Sequence, residues 1–156
     1  MTIRPATVDD VDTLIGLITA FAEFEKLPAP DEGARARLKE HGFGPRPKYE
    51  AWIAEWAGQP VAYSIMFETY STFLARPTLY LEDIFVLPDY RRRGIGKALL
   101  HNCFRLADER GCGRMEWACL DWNVRAQTVY EGLGAKHLRE WMLYRLTQDE
   151  ISNLTP

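Results

Sequence analysis

Apolar residues recur along the chain at two different spacings, and the change between them separates predicted helices from predicted strands. From Val11 to Ala22 an apolar side chain stands at every third or fourth position, which is the repeat of an amphipathic helix. Prolines at positions 28 and 30 end this pattern, and Gly111 and Gly134 end two later ones. We predict helices over residues 8–25, 31–40, 95–110 and 123–133, with a final helical turn over residues 147–153.

Other segments have the pattern of β-strands, with short apolar runs bounded by turn-forming residues. The predicted strands cover residues 2–4, 49–56, 60–70, 78–87, 115–120 and 141–146. Ala57-Gly58-Gln59 joins the second strand to the third as a hairpin. The helix that follows residue 87 favours a parallel, right-handed crossover to the next strand. We therefore predict a mixed α/β fold around one sheet, in a single domain over residues 1–156.

Residues 80–97, YLEDIFVLPDYRRRGIGK, combine a strand with the features of an anion-binding site. The strand carries two adjacent carboxylates, and it is followed by a Pro-Asp turn, three arginines and a Gly-x-Gly that opens a helix. Amides at a helix N-terminus carry partial positive charge, and arginines attract phosphate. This stretch therefore predicts a site for a phosphorylated cofactor, beside carboxylates that can take a proton from an amine.

Three other interpretations apply to residues 91–96. A dinucleotide-binding G-x-G-x-x-G requires glycine or alanine at position 99, where this chain has Leu99. A Walker A loop requires glycine at position 91 and Ser or Thr at position 98, where the chain has Arg91 and Ala98. The third interpretation, a structural turn beside solvated arginines, stays open on these residues alone.

Arg91-x-x-Gly94-x-Gly96, after the strand 82–86, resembles the acetyl-coenzyme A motif of the GNAT superfamily of N-acetyltransferases. The likeness continues at residues 3–7 and 123–135 and so extends over nearly the whole chain. Within the superfamily the chain is similar to the spermidine/spermine (diamine) and thialysine acetyltransferases. The matching residues are Glu23-Phe24-Glu25, Gly42-Phe43-Gly44, residues 80–86, Asp89-Tyr90-Arg91 and Trp122-Asn123. The resemblance implies a GNAT-like acyl-CoA N-acyltransferase fold, with a mostly antiparallel sheet, one parallel splayed strand pair and helices on both faces.

The resemblance also implies which residues hold acetyl-coenzyme A, the co-substrate. Backbone amides of Ile84 and Val86, on either side of Phe85, bind the pantetheine arm, and Asn123 contacts the cofactor from a later helix. The pyrophosphate lies against Arg91, Arg92, Arg93, Gly94, Ile95, Gly96 and Lys97.

A proton acceptor is needed because an alkylammonium, with a pKa of about 10.4, is almost entirely protonated at neutral pH. Strand alternation places Glu82 and Asp83 on opposite faces of their strand. By this count Glu82 shares a face with Tyr80, Ile84 and Val86, and Asp83 shares the other with Leu81 and Phe85.

The resemblance assigns the roles in proton transfer. It makes Glu82 the general base and Asp83 a carboxylate on the substrate side. Tyr130 takes the position of the general acid beside the cofactor and protonates the leaving thiolate. The alternatives are a surface pair of acids on an edge strand and, for Tyr130, an aromatic side chain that only packs.

The substrate end of the site corresponds to Phe24 and Glu25, where acids receive the ammonium group of a polyamine in the family. This chain departs from its relatives after that helix, because Lys26-Leu27-Pro28-Ala29-Pro30 contains no further acid. Fewer carboxylates favour a thialysine-like amino acid or another small primary amine over a long polycation. A solvated helix end is the alternative role of Glu25.

Composition excludes several classes of partner. The formal net charge of -3 argues against a nucleic-acid-binding surface, and no apolar run approaches the length of a membrane span. The chain starts without the pattern of a secretory signal, and its three cysteines lack C-x-x-C spacing, so we expect a cytoplasmic protein with reduced thiols. The three histidines lie far apart, and we expect no metal.

Together these observations predict an acetyl-CoA-dependent N-acetyltransferase that acts on a small primary amine by direct transfer in a ternary complex. The alternatives are a protein N-terminal or lysine acetyltransferase and a non-catalytic acyl-CoA-binding sensor. The similarity to diamine acetyltransferases also implies a homodimer.

Overall fold

Five strands form one sheet in the order β1-β2-β3-β4-β5 in the computed structural model, which describes residues 1–155. The strands are β1 (Thr2–Pro5), β2 (Glu50–Trp56), β3 (Gln59–Ser71), β4 (Arg76–Val86) and β5 (Arg114–Glu116). The pairs β1–β2, β2–β3 and β3–β4 are antiparallel, whereas β4 and β5 are parallel. The helical crossover predicted between the last two strands is confirmed.

The helices lie within a few residues of their predicted bounds, although the second continues to Phe43 instead of ending at residue 40. They are α1 (Val11–Glu25), α2 (Glu32–Phe43), α3 (Ile95–Glu109), α4 (Val124–Gly132) and α5 (Gln148–Leu154). A 3-10 turn, Val8–Asp10, precedes α1, and the Thr7 amide and hydroxyl both donate to Asp10 Oδ2. Asp31 Oδ1 accepts from the Ala34 amide at 2.7 Å and caps α2. These side chains satisfy backbone groups that a helix end leaves without partners.

Helices cover both faces of the sheet, as predicted for this fold class. On one face Leu14 and Leu17 of α1 pack against Tyr63, Ile65 and Phe85 of the sheet. On the other face α3 supplies two buried side chains to a cluster with β2 and β3, formed by Ala54, Val61, Ala62, Ile95 and Leu99. Burial of these apolar side chains is the main favourable term that holds the layers together.

A β-bulge interrupts β4 at the predicted carboxylate pair. Met66 lies opposite Leu81 and Ile65 lies opposite Asp83, so Glu82 is an extra residue without a partner on β3. Because Ile65 and Met66 point to opposite faces, Leu81 and Asp83 also lie on opposite faces. The prediction that Asp83 shares a face with Leu81 is therefore wrong, since simple alternation does not hold across a bulge.

The chain divides into two compact units, Met1–Ala118 and a second that begins at Cys119. The second contains α4 and α5, and Thr147 and Glu150 form the predicted capping box of α5. The strand predicted over residues 141–146 is wrong, because these residues form no strand in the structure. Apolar content alone does not make a strand, since its backbone needs a neighbouring strand to pair with, and residues 119–155 contain none.

The prediction of one domain over residues 1–156 stays a prediction. No helix formed by the described part of the chain has both the length and the apolar character required to cross a bilayer.

Candidate active site

The edge of β4 opens away from β5 at the predicted cofactor site. β5 pairs with β4 only from Thr78 to Tyr80, and over residues 82–86 the described pairings of β4 are all with β3. This opening leaves backbone groups of Ile84, Phe85 and Val86 at an edge that an extended ligand can pair with. The Phe85 side chain itself is buried against α1, so it contributes only its backbone to this edge.

The glycine-containing loop between β4 and α3 adopts the backbone that the motif requires. Gly94 has φ 81° and precedes the first residue of α3, and Arg92 also has a positive φ of 64°. Within residues 1–155 no side chain caps the start of α3. The first amides of an α-helix have no partner within the helix, so those near Ile95, Gly96 and Lys97 are suited to bind phosphate oxygens.

The arginines of this loop differ in their surroundings. Arg91 Nε donates to the Val86 carbonyl at 2.9 Å, and its guanidinium lies 4.6 Å from the ring centre of Phe24 and 5.4 Å from that of Phe85. Arg91 therefore links the end of β4 to the end of α1, a cation–π role that the motif did not suggest. Arg93 lies over Trp56 and is exposed, as are Arg92 and Lys97.

The two carboxylates of β4 lie in different environments. Glu82, at the bulge, is exposed. Asp83 is partly buried, and its Oδ2 accepts a hydrogen bond of 3.1 Å from the Tyr63 hydroxyl. Burial raises the pKa of Asp83 to about 6, and the Tyr63 hydrogen bond opposes this rise by stabilising the carboxylate.

The end of α1 lies beside this carboxylate pair. Glu25 is partly buried, and burial raises its pKa. Its charge also raises the pKa of Asp83, as does that of Glu82. Phe24 packs against Phe85 with ring centres 6.1 Å apart. The structure therefore brings together the four predicted substrate-side residues Phe24, Glu25, Glu82 and Asp83.

The other two predicted residues, Asn123 and Tyr130, lie in the second unit. Asn123 precedes α4, and its Oδ1 accepts from the Ala126 amide at 3.3 Å, so it caps the helix. Tyr130 is in the last turns of α4 and is partly buried. Within this unit Asn123 therefore caps the short helix that contains Tyr130, one residue before the helix begins.

The geometry above agrees with a comparison of the chain with known protein families. The profile of the acetyltransferase (GNAT) family matches residues 10–135. The chain belongs to this family. The predicted resemblance is thereby confirmed, and so is the prediction that the protein is an enzyme of the N-acetyltransferase class.

Curated relatives and a solved structure support the same assignment. A thialysine N-epsilon-acetyltransferase of Bos taurus is 35% identical over 163 residues, covering 97% of this chain and 95% of the relative. A spermidine/spermine N(1)-acetyltransferase-like protein of Homo sapiens is 28% identical and covers 97% of this chain, which spans 23% of that protein. The crystal structure of a probable acetyltransferase matches this chain with a TM-score of 0.83 at 25% identity. The match covers 94% of this chain and 97% of the chain in that crystal structure.

Two features of this GNAT site were missed by sequence reasoning. Tyr63, in the middle of β3, is fully buried and donates to Asp83, although it was considered only as a strand residue. A buried tyrosine hydroxyl usually has a polar partner, so the residue type was a signal, but its partner depends on strand register. The contact of Arg91 with Phe24 likewise joins residues that are distant in sequence.

Proposed function

We propose that this protein transfers an acetyl group from acetyl-CoA to a primary amine of a small molecule. The acceptor is a diamine or polyamine, or an amino acid similar to thialysine, and the amine attacks directly in a ternary complex. The observation that carries this proposal is the group of three carboxylates, Glu25, Glu82 and Asp83, close to the open edge of β4. An acidic site attracts a cationic amine, and the names of the thialysine and spermidine/spermine relatives support this substrate class.

The residues around the open edge of β4 fit acetyl-CoA. In our proposal the backbone of residues 84–86 pairs with the pantetheine arm, and residues 91–97 hold the pyrophosphate through amides at the start of α3. The positive φ of Gly94 and the absence of a side-chain cap on α3 support this fit. Asn123 is assigned to the same cofactor by the family resemblance. When bound, acetyl-CoA supplies an activated acetyl thioester.

The proposed proton transfers use Glu82 and Tyr130. Glu82 takes the proton of the ammonium group, directly or through water, and its exposure gives solvent access for that proton. Phe24, Glu25 and Asp83 bind the substrate. Tyr130 donates a proton to the departing sulfur, an assignment that rests on the family resemblance.

We also propose that the protein is a cytoplasmic homodimer. The similarity to diamine acetyltransferases supports the dimer. In addition, Trp141, Met142, Leu143 and Tyr144 are each 74–84% exposed. A run of exposed apolar side chains is typical of a surface that a partner covers. Light scattering over a range of protein concentrations measures the mass of the assembly and so tests the proposed dimer.

Thiol release from acetyl-CoA, measured across a panel of amines, tests the proposed function. The panel contains putrescine, spermidine, thialysine, lysine and a peptide with a free amine. We expect turnover of at least one free small amine and none of the peptide. Turnover of the peptide alone would favour a protein acetyltransferase, whereas tight acetyl-CoA binding without turnover would favour an acyl-CoA sensor.

A further inference from the structure

Among the described residues, the Tyr63 side chain donates a hydrogen bond to the Asp83 carboxyl group. Its hydroxyl lies 3.1 Å from Asp83 Oδ2, and its side chain is fully buried. The ring packs against Phe21 and Phe85, whose centres lie 6.4 Å and 6.5 Å from its own. Because the ring is fully buried, its surroundings hold the hydroxyl at one oxygen of the Asp83 carboxyl group.

The β-bulge is what makes this contact possible. Residues Asp83 and Phe85 follow the bulge and lie opposite Ile65 and Tyr63, on the α1 face of the sheet. With regular alternation through Glu82 and no bulge, Asp83 would lie on the face of Leu81, away from Tyr63. The bulge therefore directs one carboxylate into a partly apolar site at the end of α1.

The ionisable groups that face Asp83 are acidic or neutral. Glu25 approaches from α1, Glu82 is its neighbour on β4, and the Tyr63 hydroxyl reaches it from β3. Arg91 is a cation near these groups, and its guanidinium lies over the rings of Phe24 and Phe85. A partly buried carboxylate with two acidic neighbours is costly to keep charged, and a cationic ligand offsets this cost.

We propose that Tyr63 is a positioning residue for the amine: it fixes one oxygen of Asp83 and leaves the other to receive the ammonium group of the substrate. This inference rests on the proposed function, because it requires a cationic acceptor. It extends that function by assigning substrate affinity to a residue of β3 that lies outside both the cofactor motif and the carboxylate pair.

The hydrogen bond also determines the pH range in which Asp83 can bind a cation. A protonated Asp83 does not attract ammonium, so affinity for the amine is lost as the pH falls through about 6, the pKa of this group. The Tyr63 hydroxyl lowers that pKa by stabilising the charged form. Replacing Tyr63 by phenylalanine removes the donor and raises the pKa of Asp83, so the loss of affinity starts at higher pH.

The test compares Tyr63→Phe with wild type in kcat and KM for thialysine between pH 5.5 and pH 8.5. The kcat/KM of the variant is divided by that of wild type at each pH. Ionisation of the amine affects both proteins equally, so it cancels in this ratio. We expect kcat/KM to fall about fivefold at pH 6, through KM, and less than about twofold at pH 8.5. Tyr49→Phe is the matched control, because the Tyr49 hydroxyl also donates a hydrogen bond, at 2.7 Å, but to the Leu38 carbonyl of α2 and not to a carboxylate.

A merely structural role of Tyr63 predicts a different result, namely a loss that is the same at every pH or that also occurs in Tyr49→Phe. Either outcome would overturn the inference. Tyr63→Phe made in an Asp83→Asn background should cause no further pH-dependent loss, since the titrating carboxylate that Tyr63 stabilises is gone. A further loss of the same size would also contradict the proposal.

Titration of the Asp83 carboxyl by carbon-13 NMR, in protein without substrate, separates this inference from the proposed function. We expect Tyr63→Phe to move the Asp83 titration to higher pH and Tyr49→Phe to leave it unchanged. If no amine is acetylated but the titration moves, the proposed function fails while the positioning contact stands. An unmoved titration would overturn the positioning contact, whatever the activity.

Discussion

The cofactor end and the amine end of the candidate site are built in different ways. At the cofactor end, residues 84–97 are contiguous in sequence and offer mainly backbone groups, with the side chains of Arg92 and Arg93 exposed. At the amine end, Tyr63, Asp83 and Glu25 come from three separate elements and act through partly or fully buried side chains. Backbone recognition tolerates changes of side chain, whereas a buried carboxylate depends on each of its neighbours.

This difference explains why a short motif identifies the family and the cofactor but leaves the amine open. Backbone amides at a glycine-opened helix bind phosphate in many sequences, so the required pattern is local. Selection of the amine depends on residues that meet only after β3 and β4 have paired. A substitution at one end of the site should therefore change the function of that end and leave the function of the other end unchanged.

The largest effect is expected at the proposed base. Glu82→Gln removes the proton acceptor, and kcat should fall about 100-fold or more near neutral pH, while the affinity for acetyl-CoA is kept. Steady-state rates and a titration with coenzyme A measure the two quantities. Glu68→Gln, which changes an exposed acid on β3, is the control and should keep the wild-type rate. A wild-type rate for Glu82→Gln across the pH range would show that Glu82 is not the base.

A smaller effect is expected at the proposed proton donor. Tyr130→Phe removes the phenol and should slow the single-turnover rate about 10- to 100-fold, with little change in acetyl-CoA affinity. Tyr70→Phe, on β3 and with a side chain 65% exposed, is the control and should react as fast as wild type. An unchanged single-turnover rate in Tyr130→Phe would leave that residue a packing role only.

The smallest of these effects is expected in the cofactor loop. At Gly94 the backbone has φ 81°, and an added Cβ would meet no atom within 4 Å, so Gly94→Ala introduces backbone strain without a clash. We expect coenzyme A to bind about tenfold more weakly, since strain of about 1–2 kcal/mol opposes the binding conformation. Gly111→Ala provides the same test at φ 65° outside the loop, and it should lower stability without changing coenzyme A affinity. Equal losses of affinity in both variants would contradict a specific role of Gly94.

Local chemistry explains which parts of the fold could be predicted. The capping box of Thr147 and Glu150, the cap at Asp31 and the glycine at the start of α3 are all determined by residues within a few positions of each other. The parallel pairing of β4 and β5 followed from the helix between them. For the caps the signal and its structural consequence lie close together in the sequence, and for the strand pair the signal is the helix that joins the two strands.

The parts that could not be predicted depend on pairing between distant segments. The bulge at Glu82 is a property of the register between β3 and β4, and it reversed the expected face of Asp83 relative to Leu81. The residues around Trp141 have the composition of a strand, but pairing decides whether a strand forms. The sequence shows that residue 63 is a tyrosine but not which residue its hydroxyl contacts. The hydrogen bond from Tyr63 to Asp83 depends on the register between β3 and β4 and so could not be predicted.

Binding of thialysine to the protein saturated with coenzyme A, measured by calorimetry, tests most directly the claim that the two ends are separate. Asp83→Asn should weaken thialysine binding about tenfold or more, because a charged partner of the ammonium is lost, and should change coenzyme A affinity less than about twofold. Gly94→Ala should weaken the binding of coenzyme A. Once this variant is saturated with coenzyme A, its affinity for thialysine should equal that of wild type. Wild-type affinity of Asp83→Asn for thialysine, or equal losses of both ligands in both variants, would contradict this account.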